Sequence, residues 1–254
     1  MAADLKEARR PSGFVSAARL GFALAILSLA LAAGSGLGTR FGFWDFRTGF
    51  TILKWGAYSA IGAAAVSFIA LLGLRRRGLP GAFALAAVGL LLGLIILSVP
   101  LQWMRTAKRV PPIHDITTDT ENPPPFVKVL SRRKEAANPA EYGGPEVAAQ
   151  QKAGYPDLGP ITVSLPPDQA FNHALAAAAE MGWELVDASL TDGRIEATDT
   201  TFWFGFKDDI VIRITPVSGG SRVDVRSVSR VGKSDVGTNA RRIQTFLARL
   251  KERA

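Results

Sequence analysis

The sequence predicts an α+β domain, an antiparallel sheet with helices on one face, that follows three N-terminal transmembrane helices. Three long apolar runs without charge fill most of the first hundred residues. Alternation of apolar and polar residues, typical of strands with one buried face, dominates the C-terminal part. Two amphipathic segments accompany those strands in the order β-α-β-β-β-β-α, which favours an antiparallel sheet with both helices packed on one side.

The three apolar runs are residues 20–38, 55–74 and 82–104, and each is close to the roughly 20 residues needed to cross a bilayer. None has a polar face, so buried helices of a soluble protein are the less favoured alternative. The first run is too long for the core of a signal peptide, and we interpret it as retained. The predicted organisation is a tail (1–19), a three-helix transmembrane domain (20–104), a proline-rich connector (105–159) and a soluble domain (160–254).

Basic residues are concentrated in the apolar part of the chain. The 254 residues carry a formal net charge of +8. Residues 1–109 hold 13 Lys/Arg against 3 Asp/Glu, whereas residues 110–254 hold 17 against 19. The positive charge therefore accompanies the membrane segments, where it reports orientation, and we expect no nucleic-acid partner. Cysteine is absent, which excludes disulfides, thiolate metal sites and a cysteine nucleophile.

The positions of Lys and Arg predict the orientation in the membrane. Seven lie in the tail and in the loop between the second and third spans, and six lie on the other side. The Arg75–Arg77 triplet in a very short loop favours a cytoplasmic position for that loop. With three spans, the N terminus would then be cytoplasmic and the C-terminal domain extracytoplasmic.

Small residues at spacing four mark candidate helix contacts within the spans. Gly34 and Gly38 form one such pair, and Gly56, Ala60 and Ala64 form a second series. The alternative is that these are ordinary Ala/Gly-rich membrane segments. No ionisable residue lies inside a span, which argues against a proton or ion path through the helices.

The connector is rich in proline, with nine prolines in residues 105–160. This composition disfavours helix and central strand, and we expect an extended chain that runs over a surface. His114, Asp115 and Asp119 within it could be metal ligands, but one His and two Asp form a weak signal. The alternative is turn chemistry, in which these side chains bond the nearby backbone.

Residues 194–214 form the predicted central hairpin of the soluble domain. Ile210, Ile212 and Ile214 alternate with other residues, as in a strand with one buried face. Four aromatic residues lie in the turn region at 202–206; they either cap a hydrophobic core or form an exposed surface for a partner, a ligand or the membrane interface. Because neighbouring strand residues point to opposite faces, at most one of Asp208 and Asp209 is expected to be buried.

Two helices and the last strand complete the predicted domain. Pro167 opens the first helix, and Gly182 ends it. In the last strand Val223 and Val225 are expected to face inwards, with Arg222, Asp224 and Arg226 facing outwards. The final helix is expected to begin near Asp235 as its cap. Its apolar face opposes a basic face made by Arg241, Arg242, Arg249 and Lys251.

The segment 229–235, SRVGKSD, resembles a phosphate-binding loop only superficially. A P-loop requires a glycine five residues before Gly232, and Ser227 occupies that position. The segment could still bind an anion through Lys233 and the amides of the helix start. The favoured interpretation is a polar loop followed by a helix cap.

Four motifs resemble a bacterial family known only as domain of unknown function 1499. They are PPIHDITTD at 111–119, RIEATDTTFW at 194–203, KDDIVIR at 207–213, and SVSRVGKSD at 227–235 followed by Gly237, Asn239 and Ala240. The resemblance covers about residues 110–250, and many members of that family carry N-terminal membrane helices. The family has no established activity, so the resemblance implies no catalytic residue. The resemblance supports the predicted domain boundaries. With the orientation predicted from Lys and Arg, we expect a multi-pass protein of the bacterial inner membrane with a periplasmic domain.

These observations favour a membrane-anchored cell-envelope protein whose soluble domain is a binding module and not an enzyme. The expected partners are the lipid bilayer and a protein of the membrane or envelope; no cofactor and no metal are expected. An accessory integral subunit of a larger membrane complex is the alternative, and a hydrolase or metal-dependent enzyme is less favoured. The candidate binding surface comprises His114, Asp115, Asp119, Thr198, Asp199, Thr201, Trp203, Lys207, Asp208, Arg230, Lys233, Ser234 and Asp235.

Overall fold

The computed structural model describes residues 13–253, which divide between two compact units, Met1–Gln102 and Trp103–Ala254. Most of the predicted N-terminal tail, including Lys6, Arg9 and Arg10, therefore lies outside the described residues.

Three helices of 28 or 29 residues confirm the three predicted spans: α1 (Gly13–Arg40), α2 (Phe46–Leu74) and α3 (Pro80–Ala107). Each is long and apolar enough to cross a membrane. Asp45 caps the start of α2, where its carboxylate accepts hydrogen bonds from the backbone N–H groups of Arg47 and Thr48.

Small residues let these helices approach closely. The Ser28 hydroxyl donates to the Gly56 carbonyl at 2.7 Å, and a Cβ on Gly93 would lie 2.9 Å from the Ala60 carbonyl oxygen. The predicted contacts at Gly56 and Ala60 are therefore present. A Cβ on Gly34, in contrast, would meet no atom within 4 Å, so Gly34 is not a point of close helix approach.

The second unit contains one six-stranded antiparallel sheet. Its strands are β1 (Asp115–Thr117), β2 (Ile161–Val163), β3 (Glu184–Ser189), β4 (Arg194–Thr200), β5 (Lys207–Val217) and β6 (Gly220–Ser229). The order is β1-β6-β5-β4-β3, and β2 pairs with β6 farther along the edge that β1 occupies. From β2 onwards the elements follow the predicted order.

Two helices cover one face of this sheet, as predicted: α5 (Pro167–Glu180) and α6 (Thr238–Arg253). Their buried residues pack against the isoleucines of β4 and β5 and the valines of β6, and the Trp183 and Phe246 rings stack 5.3 Å apart. Fully burying one such apolar side chain contributes about 1.5–3 kcal/mol. Because most of the domain's buried apolar side chains lie here, this interface is its principal core.

The chain between α3 and β2 adds an edge strand, and its residues 126–142 cover the opposite face of the sheet. It supplies β1, a short 3-10 turn (Val129–Arg132) and an eleven-residue helix, α4 (Gly144–Gly154). Phe126 and Val129 pack there against Val211 and Val228. The expectation that this stretch contains no helix is wrong, because Pro145 lies in the first turn of α4, where a proline has no hydrogen bond to lose.

Candidate functional site

Three separate segments meet at one end of the sheet, which we call the loop end: residues 113–115, 200–207 and 230–236. The strand register causes this, since Thr200 pairs with Lys207, Asp208 with Ser229, and Asp115 with Val228. Further backbone hydrogen bonds join the segments, from Arg230 N to the Lys207 carbonyl (3.0 Å) and from Asp235 N to the Ile113 carbonyl (3.2 Å).

The aromatic turn at 201–206 is a closed loop. Thr201 N donates to the Phe206 carbonyl at 2.8 Å, and Phe206 N donates to the Thr201 hydroxyl at 2.9 Å. Phe204 is buried and stacks on Phe206, with ring centroids 5.4 Å apart, whereas Phe202 is 84% exposed. Phe204 is therefore an interior side chain and Phe202 a surface side chain, and a partner for the exposed ring stays a prediction.

Arg242 organises the loop end on the helical face of the sheet. Its guanidinium bonds the carboxylates of Asp208 (2.6 Å) and Asp199 (2.8 Å), the Ser227 hydroxyl and the Asn239 amide oxygen. Arg242 was expected on an exposed basic face of the final helix, but it is buried. A guanidinium can occupy this position because it presents several N–H donors in a planar arrangement that matches carboxylates.

Asp209 is the centre of a second buried group, on the opposite face. It accepts hydrogen bonds from Arg133 (2.6 Å), from Arg230 (2.8 Å) and from the Thr198 hydroxyl (2.7 Å). Burial alone would raise the pKa of Asp209. The hydrogen bonds from Arg230 and Thr198, the charge of Arg230 and the Arg133 hydrogen bond outweigh it and hold the pKa below its ordinary value.

A third buried group joins β1 to β6. Arg226 makes a two-point contact with Asp115, at 3.0 and 2.7 Å, and the rings of Phe126 and Tyr142 lie over its guanidinium. Burial, with a further contribution from the charge of Asp115, raises the pKa of Tyr142 to about 12. Asp115 therefore serves as a partner for a buried cation.

The segment that crosses this face is held by side chains that bond backbone groups. The Glu196 carboxylate accepts from the N–H groups of Val127, Lys128 and Val129 at 2.7–2.9 Å. Gln151 bonds both the N–H and the carbonyl of Thr117 in β1. Both side chains are buried, so the covering chain is attached to the sheet by desolvated polar contacts.

The 230–236 loop is held on one side by the covering segment and on the other by the start of the final helix. The Asn138 amide donates to the Ser229 and Gly232 carbonyls, and the Asp235 carboxylate accepts from the N–H groups of Gly237 (2.9 Å) and Asn239 (2.6 Å). Burial raises the pKa of Asp235, although those backbone donors act in the opposite direction. The helix begins at Thr238, three residues later than expected. The carboxylate of Asp235 thus occupies two of the amides at the helix start, whereas Lys233 is exposed. Anion binding by this segment stays a prediction.

The motifs quoted from the sequence form these contacts. The family described as "Protein of unknown function (DUF1499)" matches residues 115–250, more than half of the chain. The chain belongs to this family. The match begins at the first residue of β1 and ends in α6, which confirms the predicted resemblance. No curated protein matches the chain.

Within this DUF1499 region and the residues beside it, the predicted surface residues fall into two sets. The loop end brings together His114, Thr201, Trp203, Lys207, Arg230, Lys233, Ser234 and Asp235. Lys207 and Lys233 are exposed there, and His114 Nδ1 lies 3.4 Å from the Lys233 carbonyl.

The remaining predicted residues lie inside the fold or farther along the sheet. Asp115, Thr198 and Asp208 are buried, and Asp199 bonds Arg242 on the helical face. Asp119 lies past the end of β1, where Arg213 and Arg222 bond it. Burial acts to raise its pKa, but backbone donors and these arginines hold the pKa below its ordinary value.

Sequence reasoning missed three partners of these carboxylates, Arg133, Arg226 and Arg242. It also missed Glu196, which holds the backbone of the covering segment. One signal was available, because Arg222, Asp224 and Arg226 alternate basic and acidic residues along the strand face assigned to solvent. Such a face can be covered if the covering segment brings complementary charge and apolar residues, as residues 113–142 do.

Proposed function

We propose that this DUF1499 protein is anchored in the membrane by its three helices and binds a protein partner through the loop end of its sheet. One observation carries the proposal: three segments distant in sequence place a mixed aromatic and cationic set of side chains at a single end of the domain. Aromatic side chains are enriched in the buried centres of protein interfaces, and exposed cations favour encounter with an acidic partner.

The ion-pair groups behind this end support a binding role. Asp208 and Asp209 follow one another at the start of β5, yet each is held by arginines on its own face of the sheet. The 200–207 and 230–236 segments therefore adjoin side chains that buried ion pairs hold in place. A surface ordered before its partner arrives loses less conformational entropy on binding.

The same contacts weigh against a hydrolase. A general acid, general base or metal ligand needs an oxygen directed at the substrate or ion. The carboxylates of Asp115, Asp208 and Asp209 are instead directed at guanidinium groups. Among residues 13–253, no group of three His, Asp or Glu side chains is placed to hold a metal ion.

We place the protein in the bacterial inner membrane, with the N terminus cytoplasmic and the DUF1499 domain in the periplasm. The Arg75–Arg77 loop between α2 and α3 supports this orientation, because short cytoplasmic loops carry an excess of basic residues. Three crossings then carry the chain to the opposite side. This compartment is compatible with a chain that contains no cysteine.

Site-specific photocrosslinking in intact membranes tests the binding proposal. A photoreactive phenylalanine analogue replaces Phe202 at the loop end or Val217 at the far end of β5, and both positions are exposed. The eleven residues of β5 separate these positions by roughly 30 Å. Adducts of discrete mass from position 202 and none from position 217 are expected. The same adducts from both positions, or none from position 202, would reject the loop end as the binding surface.

The same crosslinked samples separate a transient partner from the alternative function as a subunit of a larger complex. A subunit would copurify with stoichiometric neighbours after mild detergent extraction without crosslinking. A binding module would copurify as the lone chain and retain its partner only after irradiation.

A further inference from the structure

A cleft of about 410 Å³ opens in the first unit between the first turns of α1 and the start of α3. Val15 and Leu85 line it from the two helices, and Leu79 and Pro80 lie at the chain's entry into α3. The lining is predominantly apolar. Its volume falls within the range of about 300–1,000 Å³ that is usual for small-molecule sites.

One charged side chain, Arg19, lines this cleft. The loop that precedes α3 adds Arg75, Arg76 and Arg77, so four guanidinium groups belong to this end of the helices. The Arg77 side chain is oriented, since its Nε donates to the Gly73 carbonyl at 2.9 Å and its guanidinium lies over the Phe14 ring.

The cations at this end have no acidic counterpart among the described residues. Within residues 13–102 the single acidic side chain is Asp45, which caps α2 at the opposite end of the helices. An apolar cleft with cationic side chains at its mouth, placed where apolar helices end, matches an amphiphile with an anionic head group. A bilayer supplies such molecules at high local concentration.

We propose that this cleft binds one anionic phospholipid, with an acyl chain against Val15 and Leu85 and the phosphodiester facing Arg19. The Arg75–Arg77 loop adds long-range attraction for the head group. Each basic residue near an anionic lipid surface strengthens the attraction about fivefold. The site is independent of the loop end of the sheet, and its occupant differs from the protein partner proposed there.

Two substitutions in the full-length protein test the two halves of the site. Arg19→Gln removes the head-group contact, and its control is Arg47→Gln, an exposed arginine on the other end of α2. Gly81→Leu fills the cleft, because a Cβ on Gly81 would meet no atom within 4 Å. Its control is Gly34→Leu, a glycine in α1 that also has open space at Cβ but lies outside the cleft.

Binding is measured on the detergent-purified protein by native mass spectrometry and thermal unfolding, with phosphatidylglycerol, phosphatidylcholine or inorganic phosphate added. Phosphatidylglycerol is expected to give one tightly retained lipid and a higher unfolding temperature. Arg19→Gln should weaken its binding about fivefold, the equivalent of one basic residue. Gly81→Leu should abolish retention, while both control variants bind as the parent protein does.

Three results would overturn the proposal. Equal losses in Arg19→Gln and Arg47→Gln would indicate attraction by general charge. Retention by Gly81→Leu equal to that of Gly34→Leu would show that the cleft does not hold the lipid. Equal stabilisation by phosphatidylcholine or by inorganic phosphate would show that no anionic phospholipid is recognised.

Discussion

Asp208 and Asp209 show how strongly position within the sheet decides the role of a residue. They are neighbours in sequence and point to opposite faces, so the sequence predicted that at most one would be buried. Both are buried, with 3% and 0% of their surface exposed. The period of the strand was interpreted correctly; the error was the assumption that the second face meets water. A segment about 80 residues earlier in the chain covers that face, and strand periodicity contains no information about it.

Replacing Asp209 by Asn tests whether its three-donor environment holds the covering segment in place. The substitution keeps the shape but leaves Arg133 and Arg230 without their shared anion. Breaking a buried pair on one side lowers the free energy of unfolding by about 3–5 kcal/mol. Urea-dependent proteolysis of the full-length protein in detergent measures the change. Asp157→Asn, at an exposed position, is the control and should be neutral; similar losses in both would contradict the role of Asp209.

The same variant predicts a difference in pH dependence. The folded protein holds the pKa of Asp209 below its ordinary value of 3.8, so the ionised form contributes fully to stability above about pH 5. That contribution is lost as the pH falls through the lower, folded value. The stability difference between the parent protein and Asp209→Asn should therefore be constant from pH 5 to pH 7 and shrink below pH 4. A difference that persists unchanged at pH 2 would show that packing, and not charge, causes it.

At the scale of elements, local signals predicted the strands, turns and helices of the sheet well. The Asp-Gly and Gly-Gly pairs give the two hairpin turns, and apolar periodicity gives α5 and α6. Prediction failed where an element's role depends on distant chain. The polar face of β6 and Arg242 were assigned to solvent, because alternating charge normally indicates exposure. Here both Asp224 and Arg226 are buried: Asp224 pairs with Arg222, and Arg226 pairs with Asp115.

The β3–β4 turn provides a prediction about a single hairpin. Gly193 has φ +59°, and a Cβ there would lie 2.3 Å from the Ile214 carbonyl oxygen. Gly219, in the β5–β6 turn, has φ +82° but open space. Gly219→Ala should therefore lower stability by about 1 kcal/mol from backbone strain alone, and Gly193→Ala by clearly more. Thermal unfolding of the two variants compares them, and equal shifts would exclude the close contact as a determinant.

For the whole molecule, composition was sufficient to predict the helices that can cross a membrane, since length and the absence of charge suffice. The candidate site was predictable only in part. The loops that flank paired strands could be assigned to the same end of the sheet. Thr201, Lys207 and Lys233 lie together there because β4 pairs with β5 and β5 with β6. The buried arginine groups could not be predicted, because they depend on which segment covers the second face.

The orientation of the molecule across the membrane gives the last prediction, and the absence of native cysteine makes it directly measurable. The proposed topology of three crossings predicts the α1–α2 loop and the DUF1499 domain on one side and the α2–α3 loop on the other. Single cysteines at Phe43, Thr215 and Arg76, all exposed positions, report these three regions. An impermeant maleimide should label the first two in cells with a permeabilised outer membrane, and Arg76→Cys only after the inner membrane is opened. Labelling of Arg76→Cys alone would reverse the orientation, whereas labelling of Phe43→Cys and Arg76→Cys on the same side would eliminate α2 as a crossing.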